Sequence, residues 1–301
     1  MMRAVFFALC GFCSLPHALM AQSTIAASTA LPKSSPLDRA SPPVNREALL
    51  KQFVSPKPMS YRAEIMFGPT NVSLATRILE VRNGLLTSSP AVAGAQFAIS
   101  DQTKAIAALL SNYQTQWQET AANTKLAELR FADRPTQQLK LIPRDGWRYT
   151  RILWLDEQTG MPLKTEIYRK NELIERVQVK NIRFLDVDAA DNPNPSNPPK
   201  TDSAPEIAMQ SMFYVRNIPA GFALTSVFND AVHVQQIYSD GLARVSVFVQ
   251  SLGALPAAGY TQRGSTGFVV RRSGNVDLVA VGDVPQATLE RFLSGVDVAQ
   301  Q

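Results

Sequence analysis

The chain has 301 residues, 45% of them apolar and 18% charged, with 30 Lys and Arg against 25 Asp and Glu. That length allows one or two domains, each with its own core. Two Cys and two His leave little from which to build reactive chemistry, and Cys10, Cys13 and His17 all fall near the start of the chain. There Met1-Met2-Arg3, an apolar run from Ala4 to Leu15 and small residues around Ala21 read as an export signal over residues 1–21. The run is too short for a bilayer, which takes about 20 residues, and no later stretch reaches that length, so no transmembrane span is expected in the mature chain. Without residues 1–21 the chain keeps no Cys and one His, His233. A disulfide framework, a thiol nucleophile and a Cys/His zinc site are thereby excluded, and neither a metal nor a cofactor is expected.

Residues 22–44 are rich in Ser, Ala, Thr and Pro and read as a flexible tether, because they offer too little apolar surface to offset the entropy of ordering. A helix is predicted over Asn45–Phe53, then strands at Ser60–Phe67 and Val72–Arg82, with Asn83-Gly84 as a hairpin turn. Ala105, Ile106, Leu109, Leu110, Tyr113 and Trp117 recur at helical spacing and predict an amphipathic helix over about 102–118. A meander follows. Leu126–Phe131 and Gln137–Ile142 are joined through Asp133-Arg134-Pro135, and Trp147–Leu155 and Pro162–Arg169 through Gln158-Thr159-Gly160. Leu173–Phe184 closes it. Alternation in these strands suits a curved antiparallel sheet with one buried face and a helix lying on it.

Residues 186–206 carry five acids against Lys200 alone and are rich in Pro, so they read as a linker. It separates a first domain, 45–185, from a second, 207–299. The second is predicted as a small α+β unit. Its strands are Phe213–Val215, Leu224–Phe228, Val232–Tyr238, Ala243–Gln250, Phe268–Arg272 and Val276–Val281. One helix follows Pro285, with Leu289, Phe292 and Leu293 as its apolar face and Gly295 as its cap. Charge divides unevenly: residues 45–185 hold 20 Lys and Arg and 13 Asp and Glu, whereas 207–301 hold six of each sign. The basic first domain favours anionic partners or is simply a solvated face. Nucleic acid is not expected, since an exported protein does not meet it and no basic run exceeds two residues.

No nucleophile elbow, P-loop, dinucleotide fingerprint or zinc-protease motif is present. Asp156 and Glu157 are adjacent at a hairpin end, where they face opposite sides and read as solvated turn residues. His233, inside an alternating strand, reads as structural. No catalytic residue is assigned. Physical reading alone ends at an exported, non-enzymatic binding protein of two domains.

Three stretches then carry a resemblance. Ile142-Pro143-Arg144-Asp145-Gly146 runs into Arg148–Lys164. Ile218–Phe222 opens the second domain. Ile237–Leu242 runs into Val245–Val249, with Val281–Pro285 before the last helix. In this order, after a signal peptide, they resemble the MucB/RseB family of periplasmic regulators of the sigma-E type envelope stress response. The resemblance implies an α+β fold: a LolA-like curved antiparallel sheet with helix, and a smaller C-terminal α+β domain. The stretch between Phe67 and Leu126 is short for the family, as in a shortened half-barrel, which puts an enclosed lipid cavity in question. It implies a periplasmic negative regulator that binds the periplasmic domain of a membrane anti-sigma factor and shields it from regulated proteolysis. Lipopolysaccharide or lipoprotein acyl chains would release it. The alternative is a LolA-type lipid or lipoprotein carrier. For the partner surface the expected residues are Tyr238, Asp240, Arg244, Arg271 and Arg272, with turn chemistry as the plain reading of Asp240. For a lipid-facing concave surface they are Trp147, Leu153 and Trp154, with core packing as the plain reading of the tryptophans.

Overall fold

The computed structural model describes residues 44–54, 57, 59–70, 72–82, 85–86, 109–118, 129–185, 213–229, 233–252 and 258–298. The expected signal, tether and linker, and the Asn83-Gly84 turn, lie outside these. The first helix, α1 (Arg46–Val54), begins where Asn45 Oδ1 accepts the Ala48 N–H at 3.0 Å, so Asn45 caps it. Strands β1 (Tyr61–Pro69), β2 (Ala75–Arg82), β3 (Leu85–Leu86), β4 (Tyr113–Trp117), β5 (Arg130–Phe131), β6 (Arg134–Pro143), β7 (Thr150–Asp156), β8 (Pro162–Arg169) and β9 (Glu172–Phe184) follow. They form one sheet in the order β3-β2-β1-β9-β8-β7-β6-β4, with β5 also on β6. All these pairings are antiparallel. One face of β6 and β7 presents Leu139, Leu141, Leu153 and Leu155, and α1 covers it with Leu49 and Val54. Fully burying each such leucine contributes roughly 1.5–3 kcal/mol.

The helix expected over 102–118 is corrected at its C-terminal end. Residues 109–112 are helical, but Tyr113–Trp117 is β4, paired with β6 from Tyr113↔Pro143 to Trp117↔Leu139. Residues 101–108 lie outside the described ones. Of the strand expected over 126–131, residues 129–131 are described and only the two-residue β5 is strand, and the turn after it is made by Ala132 and Asp133, both at positive φ, with Arg134 and Pro135 already in β6. Asp156, expected at a solvated turn, is fully buried. Its carboxylate accepts Arg134 Nε at 2.8 Å, the Thr159 N–H at 3.0 Å and Thr159 Oγ1 at 2.6 Å, so it closes the β7–β8 turn from inside.

The remainder contains β10 (Phe213–Val215), β11 (Ala223–Asn229), β12 (His233–Ser239), β13 (Arg244–Ser251), β14 (Gly259–Arg263), β15 (Thr266–Ser273), β16 (Val276–Gly282), α2 (Gln286–Ser294) and β17 (Val296–Val298). Six strands form an antiparallel sheet in the order β11-β12-β13-β16-β15-β14, and β10 pairs with β17 in a separate ribbon. The sequence reading missed β14 and β17: GYTQR and VDV are too short and too polar to show a period. Helix α2 lays Leu289, Phe292 and Leu293 on Val245, Val247, Val249, Val269 and Leu278. Pro285 stands one position before the helix and accepts the Thr288 N–H at 2.9 Å, and the Gly295 N–H returns to Phe292 O at 3.1 Å.

Candidate functional site

The two sheets meet along a polar seam, and its geometry follows from register. Leu141, Arg151, Ile167 and Glu175 lie in one row across β6, β7, β8 and β9, so their side chains share a face. Beyond the end of α1 that face receives one end of the second sheet. The β12–β13 turn, the residue after β16 and the β14–β15 turn all sit at that end.

Arg148, just before β7, is the most enclosed cation. Its Nε donates to Asp240 Oδ2 at 2.5 Å, Nη1 to Asp145 Oδ2 at 2.5 Å and Nη2 to the Ala220 carbonyl at 2.6 Å. Its guanidinium carbon stands 4.6 Å from the centre of the Phe222 ring and 5.9 Å from that of Tyr113. The Arg148 and Asp240 side chains are both 0% exposed. Asp240 is correspondingly saturated: Oδ2 also accepts Tyr113 Oη at 3.2 Å, and Oδ1 accepts the N–H groups of Leu242 at 2.9 Å and Ala243 at 2.7 Å. A buried ion pair compensates its desolvation only with such bonds. Burial is the largest influence on Arg148 and opposes its charge, yet the bond to Asp240 together with the Asp240 and Asp145 charges outweighs it and raises the affinity of the guanidinium for its proton. Burial and the Asp240 charge push the Tyr113 phenol far above its ordinary range. Leu242 beside them packs against the cluster under α1. Gly221, at φ +83°, passes so close that a Cβ there would lie 2.2 Å from Asn112 Nδ2.

Further along, Arg151 pairs with Asp283, whose Oδ1 accepts the Arg244 N–H at 2.7 Å. Thr288 Oγ1 donates to the Trp147 carbonyl at 2.8 Å, and Arg291 lies 5.0 Å over the Trp147 ring. At the far end Glu175 Oε2 accepts the Ser265 N–H at 2.8 Å and Ser265 Oγ at 2.5 Å. Gln262 Nε2 donates to Tyr149 Oη at 3.2 Å, and Arg169 Nη1 donates to Gln262 Oε1 at 3.1 Å.

The expected partner residues do not form one surface. Tyr238 is 2% exposed, packs against Phe292 and donates to Gln236 Oε1 at 2.5 Å; burial pushes its phenol up to about 12. Asp240 is an internal tie rather than an outward contact. Arg244 is half-buried beside it. Arg271 and Arg272 are exposed but sit near the other end of the sheet, where Arg272 Nε lies 3.4 Å from Asp277. The three expected lipid-facing residues also part company. Leu153 is under α1 and Trp147 is in the seam. Trp154 is on the opposite face of β7 from Leu153, with Phe131 at 5.8 Å and Lys164 at 4.0 Å. His233 occupies the first position of β12, opposite Gln250. Sequence reasoning missed Arg148, Arg151, Asp283 and Glu175, because nothing local marks an ion pair whose halves are 92 or 132 residues apart. One signal was available: Asp145, Arg148, Ala220, Phe222, Asp240 and Asp283 all lie in the stretches that carried the resemblance.

A long antiparallel sheet tied through ion pairs to a smaller α+β unit defines a two-unit α+β protein. Residues 80–206 match the family model of the MucB/RseB N-terminal domain, and residues 208–297 that of the MucB/RseB C-terminal domain. The chain belongs to the MucB/RseB family. It is 34% identical over 184 residues to the sigma factor AlgU regulatory protein MucB of Pseudomonas aeruginosa, covering 55% of this chain and 57% of that protein. It is 24% identical over 178 residues to the sigma-E factor regulatory protein RseB of Escherichia coli K12, covering 56% of each. The chain thus spans little more than half the length of these relatives. The fold is shared with the crystal structure of MucB in complex with MucA(peri), at a TM-score of 0.59 and 22% identity, over 85% of this chain and 99% of that one. The complex structure of Pseudomonas aeruginosa MucA/MucB gives 0.60 and 23%, over 84% and 99%.

Proposed function

We propose that this chain is a periplasmic negative regulator that binds the periplasmic domain of a membrane anti-sigma factor and shields it from the protease that starts its degradation. One observation carries the reading: the chain shares its fold, across both units, with MucB as crystallised with MucA(peri). The regulatory names of its relatives support it, as does the scarcity of reactive side chains after an export signal. In this reading domains 45–185 and 207–299 are joined by the 186–206 linker, and the work is done by occupying another polypeptide's surface, with no catalytic group. Lipopolysaccharide or lipoprotein acyl chains act as the releasing ligand by favouring the unbound state. Of the expected partner residues, the exposed Arg271 and Arg272 remain suited to pair with carboxylates of the partner.

The test is a titration of the mature chain with the periplasmic segment of the anti-sigma factor from the same genome. A complex at micromolar concentration, weakened about tenfold by Arg271→Glu with Arg272→Glu as loss of one or two charged contacts implies, is the expected result. No complex at that concentration overturns the proposal.

A further inference from the structure

The seam is uneven from end to end. At the β12–β13 turn Arg148 and Asp240 are fully enclosed, bonded to each other and to Asp145, Ala220 and Tyr113, with Leu242 packed beside them. In the middle, the Arg151 and Asp283 side chains are 11% and 27% exposed, and Arg151 Nε has no partner. At the β14–β15 turn there is no cation on Glu175 among the described residues. Its carboxylate is held by the neutral Ser265, and Gln262 bridges Tyr149 to Arg169, whose side chain is 49% exposed. In the strand order these two turns stand about three spacings apart, roughly 14 Å.

Parting the two ends has different consequences. Neutral donors on Glu175 exchange for water at a smaller loss than breaking an enclosed ion pair entails. Separating Arg148 from Asp240 breaks the bond between two fully enclosed charges, leaving Arg148 with Asp145 alone as a charged partner and Asp240 with the Leu242 and Ala243 N–H groups. We propose that the seam is a hinge with a releasable clasp: the two units turn about the Arg148–Asp240 pivot, and the Glu175–Ser265 and Gln262–Tyr149 contacts open first. Ligands that prefer one angle between the units then shift the population. The proposal does not depend on which partner the protein binds.

Native-state amide exchange on the full mature chain tests it. Glu175→Ala removes the clasp carboxylate and accelerates exchange on both sides of the clasp, at residues 167–169 and 262–266, by about tenfold, the effect of one charged hydrogen bond. Exchange at residues 242–244 stays as in the unaltered chain. A second variant, Ser265→Ala, gives the same pattern with a smaller change. Acceleration confined to 262–266 would mean local fraying of the turn and overturn the hinge. Equal acceleration at 242–244 would mean a seam that opens as a block, and overturn it too.

Discussion

Single side chains in the seam are set by what encloses them. Tyr149 donates nothing to the charge network directly, yet burial pushes its phenol up to about 12, and burial does the same for Tyr238. A raised phenol means that the folded protein keeps its proton after the unfolded chain, titrating near 10, has lost it. Stability from these tyrosines is therefore complete below about pH 10 and is lost as pH climbs from there through about 12. Urea unfolding across that range is expected to show a falling midpoint, with a shallower fall in Tyr149→Phe. Parallel curves for the two proteins would contradict this. At the same scale Asp240 was legible as a turn residue, and its bonds to Leu242 and Ala243 bear that out. Its outward role was not supported, because the second carboxylate oxygen is taken by an arginine from the other unit.

Elements were legible where one periodicity stood alone. Helix α2 and strands β7, β8, β9, β13 and β16 fall where alternation or 3.6-residue spacing placed them. The segment Tyr113–Trp117 went wrong for a definite reason: Tyr113 and Trp117 are four apart, which puts them on one face of a helix and equally on one face of a strand. Pairing with β6 decided between the two. Gly295 teaches the converse lesson. It caps α2 as the sequence reading had it, but at a φ of −88°, open to any residue. What it supplies is room, since a Cβ there would lie 2.0 Å from the Arg216 carbonyl oxygen. Gly295→Ala is expected to push the β10–β17 ribbon away from α2 and to lower stability by roughly 1–3 kcal/mol, as overpacking does. Thermal unfolding measures it, and an unchanged midpoint would refute the close-approach account.

The charge asymmetry takes on its meaning only for the whole molecule. The excess of Lys and Arg over residues 45–185 read as an attraction for anionic partners or as a solvated face, yet Arg148 and Arg151 turn inward to Asp240 and Asp283 of the other unit. Part of the imbalance is complementarity within the chain. Because these ties are the ionic part of the contact between two cores, which Leu242 and the hydrogen bonds of the seam also join, the protein is expected to unfold in one calorimetric transition. Arg148→Ala with Arg151→Ala removes the ionic part of the coupling and leaves the enclosed Asp240 without its arginine, and two resolved transitions are then expected. A single transition in the double variant would show that the seam is not what unites the units.

The rhythm of strands and the motifs of the family are properties of short stretches, and residues close in sequence were enough to reveal them. Which carboxylate meets which arginine, which faces are covered, and where the two sheets touch were settled by packing alone. Those contacts join residues on strands far apart in the chain, and their energy depends on enclosure from water, a property no local pattern carries.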